Sequence, residues 1–248
     1  MLSIIGGSGL TQLANLEITH RQVIRTPFGE PSGALTMGKL SNEEIVFLAR
    51  HGYGHTIPPH EVNYRANIWA IHSRGVKDLV SVASVGGIHA DLKPGTIVIP
   101  DQIIDYSHGR HTTFREGKDK PVVHMDFTEP YCQKMRALCL RAVQAAGETC
   151  VDGGVYASVQ GPRLETKAEI NRLERDGATM VGMTGMPEAG LAKEIGLCYA
   201  TIGVVANFAA GRGSSKDAIH YDEVEAVLNQ SMQRVLNILE HLVALHAS

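Results

Sequence analysis

Cysteine is scarce and scattered. The four in 248 residues, Cys132, Cys139, Cys150 and Cys198, are too few and too irregularly spaced for a disulfide framework or a Cys-x-x-Cys zinc site, and a reducing cytoplasm is the expected setting. An excess of either charge is also missing: 23 Lys and Arg stand against 26 Asp and Glu, a formal net charge of −3. A nucleic-acid binder would carry a basic surplus or stripe, so nucleic acid is not expected as a partner. Nothing approaches the roughly eighteen consecutive apolar residues of a membrane-spanning helix, and no membrane partner is expected. The N-terminus turns to glycine at Gly6-Gly7 without the charged region and apolar run of a signal peptide. Nor does a Pro/Ser linker, a low-complexity tract or an internal repeat divide the chain. Residues 1–248 therefore read as one domain, long enough to bury about 70–75% of its unfolded surface.

What is present is alternation. Short apolar, β-branched runs at Ser3–Ile5, Ile45–Ala49, Asp78–Ala83, Thr96–Ile99, Val155–Val159, Thr179–Met183 and Cys198–Ala206 are separated by helical stretches. Several runs are apolar at consecutive positions, as strands covered on both faces must be. The fold class is α/β, a twisted mixed β-sheet core flanked by helices. Val224, Val227, Leu228, Ser231, Val235, Leu239 and Leu242 recur at helical spacing near the C-terminus. A second helix opens on the capping box Thr166-Lys167-Ala168-Glu169 and ends at Gly177; a third runs from Asn63 to Arg74 and closes at Gly75.

In α/β sheets ligands bind beyond the carboxyl ends of strands, where loops open a crevice. Those ends carry Gly6-Gly7-Ser8-Gly9, Arg50-His51-Gly52, Ser84-Val85-Gly86-Gly87, Gln160 to Glu165, Thr184 and Asn207. Glycine for close approach, hydroxyls, one arginine, one histidine, one carboxylate and one carboxamide suit an anion beside a heterocycle. Dinucleotide binding fails because position 12 is Gln12 rather than glycine, and a P-loop from Gly33 to Lys39 fails at Leu40, where a hydroxyl must hold magnesium. The first glycine loop also reads as a simple tight turn, and Gly33–Lys39 as a hairpin. His51, His55 and His60 invite a metal reading, but the glycines and prolines between them make a loop without a completing carboxylate pair, and no metal is expected. Arg50-His51 suits an anion clamp, since guanidinium binds phosphate bidentately, with a surface ion pair as the plainer alternative. Glu165 and Asn207 together match the edge of a 6-oxopurine: the carboxylate accepts from N1–H, while the carboxamide donates to O6 and accepts from N7–H. Taken singly, each also reads as a helix-start acid or a turn former.

These residues resemble a known family. Ala49-Arg50-His51-Gly52, Val62-Asn63-Tyr64, Pro94-Gly95, Asp101-Gln102, Gly161-Pro162-Arg163 and Gly182-Met183-Thr184 with Pro187-Glu188 are similar to the trimeric nucleoside phosphorylases, the family of purine nucleoside and methylthioadenosine phosphorylases. The resemblance implies the nucleoside phosphorylase fold and an attack of phosphate on C1′ of a purine nucleoside. It implies no cofactor, inorganic phosphate being a co-substrate, and a homotrimer. By family position Ser8, Arg50, His51, the Ser84 backbone amide and Thr184 hold phosphate. Met183 packs on the sugar, Glu165, Leu164 and Asn207 form the base site, and Arg50, His51 and Asn207 are the catalytic set. His124 falls where a neighbouring subunit closes the 5′ end, and Tyr221, with His220 beside it, falls at the 5′ group.

The adenine-specific branch carries aspartates after the last core strand, where this chain has Asn207-Phe208-Ala209. An adenine N1 facing Glu165 would set acceptor against acceptor, a mismatch of about 1–3 kcal/mol or more. The N-terminal motifs are nearer the methylthioadenosine branch. The expected substrate is therefore S-methyl-5′-thioinosine, with inosine or guanosine, and then S-methyl-5′-thioadenosine, as alternatives. Hydrolysis by water on the same fold, and nucleoside binding without turnover, are the rival readings.

Overall fold

The computed structural model describes residues 1–117 and 121–248. Its centre is four parallel strands side by side, in the order β4 (Glu43–Ala49), β1 (Leu2–Gly6), β5 (Asp78–Gly87) and β11 (Cys198–Phe208). Beyond β4 lie β3 (Leu35–Leu40) and the edge strand β2 (Glu17–Gln22), both antiparallel to their neighbours. The end of β5 also pairs antiparallel with β10 (Met180–Gly182), which continues in parallel to β9 (Val155–Ser158) and β7 (Gln102–Asp105). On its other edge β11 pairs with β6 (Ile97–Ile99), and β6 with β8 (Cys150–Asp152). The sheet is thus mixed, as expected.

Successive side chains on a strand point to opposite faces, and here both faces are covered. Ile4, Phe47, Val80 and Val82 pack with Met135 and Leu138 of α2 (Gln133–Ala145) and with Val235, Leu239 and Leu242 of α5 (Tyr221–Ala247). Ile5, Val46, Leu48 and Leu79 pack with Ile68 and Ile71 of α1 (Tyr64–His72) and with Ala189 and Leu191 of α4 (Gly185–Glu194). That double coverage is why these strands are apolar at consecutive positions. Each fully buried Leu or Ile contributes about 1.5–3 kcal/mol over its exposed state.

Local chemistry sets the helix ends. Asn63 caps α1, its side-chain oxygen accepting from the Ala66 amide at 3.1 Å. On α3 (Lys167–Arg175) the capping box forms in both directions: the Glu169 amide donates to the Thr166 hydroxyl at 3.1 Å and the Thr166 amide to the Glu169 carboxylate at 2.7 Å. Gly177 follows in the left-handed region at φ 95°.

Three features differ from the sequence-based expectation. First, β5 continues through Ser84 to Gly87, so the expected loop after Ala83 is strand. A side chain at Gly87 would collide with the Leu92 carbonyl oxygen, and its absence lets β5 run on to meet β10. Second, the stretch Gly33–Lys39 enters β3, which joins β4 through Ser41 and Asn42 at φ 51° and 66°. Two left-handed residues make the hairpin turn whose twist matches the flanking strands. Third, although cysteine spacing suggested no framework of bridges, Cys132 and Cys198 form a disulfide across 66 residues of sequence, with Cα atoms 5.1 Å apart. The Cys132 amide donates to the Tyr199 carbonyl at 2.8 Å, so packing of the α2 N-terminus against β11 brings the two together. Among the described residues no helix is long and apolar enough to cross a membrane.

Candidate active site

A cavity of about 600 Å³ opens at the carboxyl ends of the central strands. Ser8 reaches it from the turn after β1, Arg50 and His51 from the end of β4, Ser84 from β5 and Asn207 from β11. Leu164 and Glu165 come from the segment between β9 and α3, Met183 and Thr184 from the β10–α4 junction, and Tyr221 from the start of α5. Ten residues far apart in sequence are thereby gathered around one space. His124 is exposed and is not part of this wall.

The expected anion side is built around a buried ion pair. Arg50 Nε and Nη2 donate to the two oxygens of Glu188 at 2.6 and 2.9 Å, and both side chains are only 1% exposed. Arg50 Nη2 also donates to Ser81 Oγ, and Nη1 to the Val82 carbonyl at 3.1 Å. The Nε hydrogen, both Nη2 hydrogens and one Nη1 hydrogen are thus committed within the protein, leaving one of five donors for a ligand. The bidentate face assigned to phosphate from sequence is occupied by Glu188 instead. Burial opposes the charge on Arg50, but the Glu188 carboxylate more than offsets that, and the guanidinium stays charged. Tyr199 adds an O–H donor to Glu188 at 2.9 Å, and its own ionisation is pushed well up, first by burial and then by that carboxylate. Gly7 must be glycine here, since a Cβ would lie 2.6 Å from the Val82 carbonyl oxygen and 2.9 Å from Arg50 Nη1.

His51 is held down to a pKa of about 4 by burial and by the adjacent Arg50 charge. The neutral ring uses Nδ1–H to donate to the Ile57 carbonyl at 2.8 Å, so Nε2 is an acceptor. A donor to an anion from this residue must be its backbone N–H. Ser84 lies two places beyond Val82 on β5, and residues two apart turn their backbone groups to the same side. Val82 directs its carbonyl to Arg50, and β1 has ended by this point in the register. The Ser84 amide therefore faces the opening that β1 leaves. Thr184 precedes α4 without bonding to it through its side chain and lines the cavity. Ser8 Oγ lies 2.9 Å from His55 Nε2, a second histidine of the same wall.

On the expected base side, a register shift between Val205 and Asn207 marks a β-bulge in β11. Bulges re-aim the following side chain, and Asn207 lines the cavity with one amide hydrogen donated to the Phe208 carbonyl at 2.7 Å. Its other N–H and its oxygen remain for a ligand. Glu165 is raised above the usual carboxylate range, chiefly by burial. At the remaining end, Ile219, Val224 and Leu228 form an apolar wall beside Tyr221, whereas His220 lines a smaller adjoining cavity of about 80 Å³. Tyr221 rather than His220 belongs to the main cavity.

A family model described as the phosphorylase superfamily matches residues 2–244. The chain belongs to the phosphorylase superfamily. It is 46% identical over 242 residues, 98% of each chain, to a protein of Pseudomonas syringae pv. tomato named probable S-methyl-5′-thioinosine phosphorylase. A Thermococcus kodakarensis protein named probable 6-oxopurine nucleoside phosphorylase is 43% identical over 244 residues, 96% of this chain and 90% of that one. In structure the chain superposes on methylthioadenosine phosphorylase from Schistosoma mansoni in complex with adenine with a TM-score of 0.94, at 34% identity, covering 99% of this chain and 91% of that one.

This phosphorylase also places residues at the site that strand-end reasoning missed. Glu188 holds Arg50 and is itself bonded by Tyr199, His55 holds Ser8, and Ile219, Val224 and Leu228 form the apolar wall. Glu188 lay within the quoted Pro187-Glu188 motif, yet only the fold shows that its carboxylate meets Arg50 across 138 residues. No three His, Cys, Asp or Glu side chains gather as a metal site among the described residues.

Proposed function

We propose that the chain catalyses phosphorolysis of S-methyl-5′-thioinosine to hypoxanthine and 5-methylthioribose 1-phosphate. One observation carries this reading: Glu165 and Asn207, from different elements, share a cavity with the donors around Arg50. Glu165 accepts from N1–H, and Asn207 donates to O6 and accepts from N7–H, a pattern that 6-oxopurines fit and adenine does not. Ser8, Thr184, the Ser84 amide, the His51 backbone and the remaining Arg50 N–H hold phosphate, while Met183 packs on the sugar. As the C1′–N9 bond lengthens, the sugar becomes cationic and the base anionic. Phosphate beside C1′ stabilises the first charge, and hydrogen bonding at N7 the second. Alignment of both reactants supplies the rest.

The apolar wall of Ile219, Val224 and Leu228 supports a methylthio group at the 5′ end. Burying one such methyl is worth about 0.8 kcal/mol, roughly fourfold in affinity. Inosine is the second reading, supported by Tyr221, a residue with a hydroxyl on the same wall, and by the name of the Thermococcus relative. Inorganic phosphate is the co-substrate, no cofactor takes part, and the chain works as one domain in the cytoplasm. A homotrimer in which His124 of each subunit closes the 5′ end of its neighbour's cavity completes the proposal.

The test is an assay of base release from methylthioinosine, methylthioadenosine, inosine and adenosine, with and without phosphate. Phosphate-dependent hypoxanthine release, fastest from methylthioinosine, is expected. Turnover in phosphate-free buffer would replace phosphorolysis with hydrolysis, and equal use of methylthioadenosine would refute the base assignment.

A further inference from the structure

Arg110 follows β7, outside the wall of the main cavity, and no role above uses it. Its guanidinium nevertheless bonds to the loops that build that wall. Nη1 donates to the carbonyls of Met183 at 2.8 Å and Met186 at 2.6 Å. Nη2 donates to those of Val159 at 3.3 Å and Gln160 at 2.8 Å, and Nε to the Gln160 side-chain oxygen at 3.1 Å. The cation also lies over the Tyr64 ring, 5.5 Å from its centre, and Nη1 reaches the Tyr64 hydroxyl at 3.4 Å. That hydroxyl donates to the Pro59 carbonyl at 2.9 Å, and Pro59 lines the main cavity with His51 and His55.

One planar group thus joins the segment leading to Leu164 and Glu165, the segment of Met183 and Thr184, and, through Tyr64, the loop after His51. These are the expected base, sugar-phosphate and anion walls. None of these partners is a carboxylate, so the charge is held by carbonyl dipoles, each of which fixes a backbone position. Only guanidinium offers five donors in a rigid plane; lysine offers three from a point.

We propose that Arg110 is a positioning residue for phosphorolysis, setting the spacing between the loop that reads the base and the loop that holds sugar and phosphate. The inference rests on the phosphorolysis reading. It assigns Arg110 no contact with either reactant: its effect is to keep C1′ in line between departing base and entering phosphate. A displacement of about 1 Å in such an alignment costs about 100-fold in rate.

The experiment compares Arg110→Lys and Arg110→Ala with the wild type for kcat, both KM values, and the Kd of phosphate alone by calorimetry. Both variants should lose kcat by about 30- to 100-fold, while the Kd of phosphate alone, set largely by Ser8, Arg50 and the Ser84 amide, none of which Arg110 holds, changes by less than about threefold. Millimolar guanidinium, admitted through the cavity of about 280 Å³ that Arg110 lines with Phe28 and Asn63, should restore part of kcat to Arg110→Ala and none to Arg110→Lys. Full kcat in Arg110→Lys, or a loss that follows thermal stability in both variants without guanidinium rescue, overturns the proposal. If Arg110→Ala does not fold, Gln160→Ala takes its place: it removes the acceptor that the Arg110 Nε–H shares with the His108 amide, leaves the four carbonyl partners, and should lower kcat several-fold with little change in melting temperature. An unchanged kcat there counts against the proposal. A wild type without phosphate-dependent turnover would instead defeat the phosphorolysis reading, which separates the two failures.

Discussion

In the proposed site Asn207 and Glu165 divide the work of recognition, and each makes a separate prediction. Asn207→Asp replaces a group that donates and accepts with one that only accepts, so O6 loses its donor while a 6-amino group gains an acceptor. The ratio of kcat/KM for methylthioinosine over methylthioadenosine should fall by about 10²-fold or more; an unchanged ratio removes Asn207 from the base site. Glu165 must be ionised to accept from N1–H, and burial raises its pKa. Affinity for hypoxanthine should therefore weaken, as pH is lowered, at a higher pH than an ordinary glutamate would give, and titration calorimetry across that range checks it. His51 predicts stability rather than binding. Its folded pKa is about 4 against 6.5 for the free side chain, so between these values the unfolded chain binds the proton and the folded chain does not. Stability must fall as pH falls through that window, by roughly 3 kcal/mol in full below the lower value. Thermal melts of the wild type should show this slope, and His51→Asn should flatten it.

At the scale of elements, the bridge between the α2 N-terminus and β11 closes a loop of 66 residues, which constrains the unfolded chain more than the folded one. Reduction, or Cys132→Ser, should cost about 2–4 kcal/mol, roughly 5–15 °C in melting temperature, with kcat unchanged because neither sulfur belongs to the cavity wall. An unaltered melting temperature would contradict it. The cysteine spacing gave no hint of this pair because two residues that far apart meet only through the packing of α2 on β11. The central strands were legible because burial on both faces leaves consecutive apolar residues, as at Ile4-Ile5 and Ile45 to Leu48. The start of α3 was legible because Thr166 is followed three residues later by Glu169, its capping-box partner. By contrast β2 is an exposed edge strand, with no core face to leave a pattern, and α4 begins with Gly185-Met186-Pro187, of which Met186 departs from helical geometry at φ −119° and ψ 141°. The α2 residues Met135, Leu138, Cys139, Ala142 and Val143 make a helical stripe, yet α2 is absent from the helices expected above. The site was legible as a set of strand ends, but the pairing of Arg50 with Glu188 and the Arg110 strap are tertiary facts.

At the scale of the whole molecule, a doubly covered sheet fixes the directions from which ten residues enter one cavity, and the proposed trimer adds His124 from outside. Light scattering on the eluting protein should give a mass near 80 kDa, three times the 26.8 kDa chain; a monomer mass would leave His124 without a site. The central claim is that Glu165 and Asn207 grip one purine edge while phosphate sits among the donors around Arg50. A crystal structure of the protein with hypoxanthine and phosphate tests it most directly. The account predicts a Glu165 oxygen within about 3 Å of N1, Asn207 within about 3 Å of N7 and O6, and phosphate touching Ser8, Thr184 and the Ser84 amide. A purine bound with either side chain turned away from its edge, or phosphate lodged elsewhere, would contradict it.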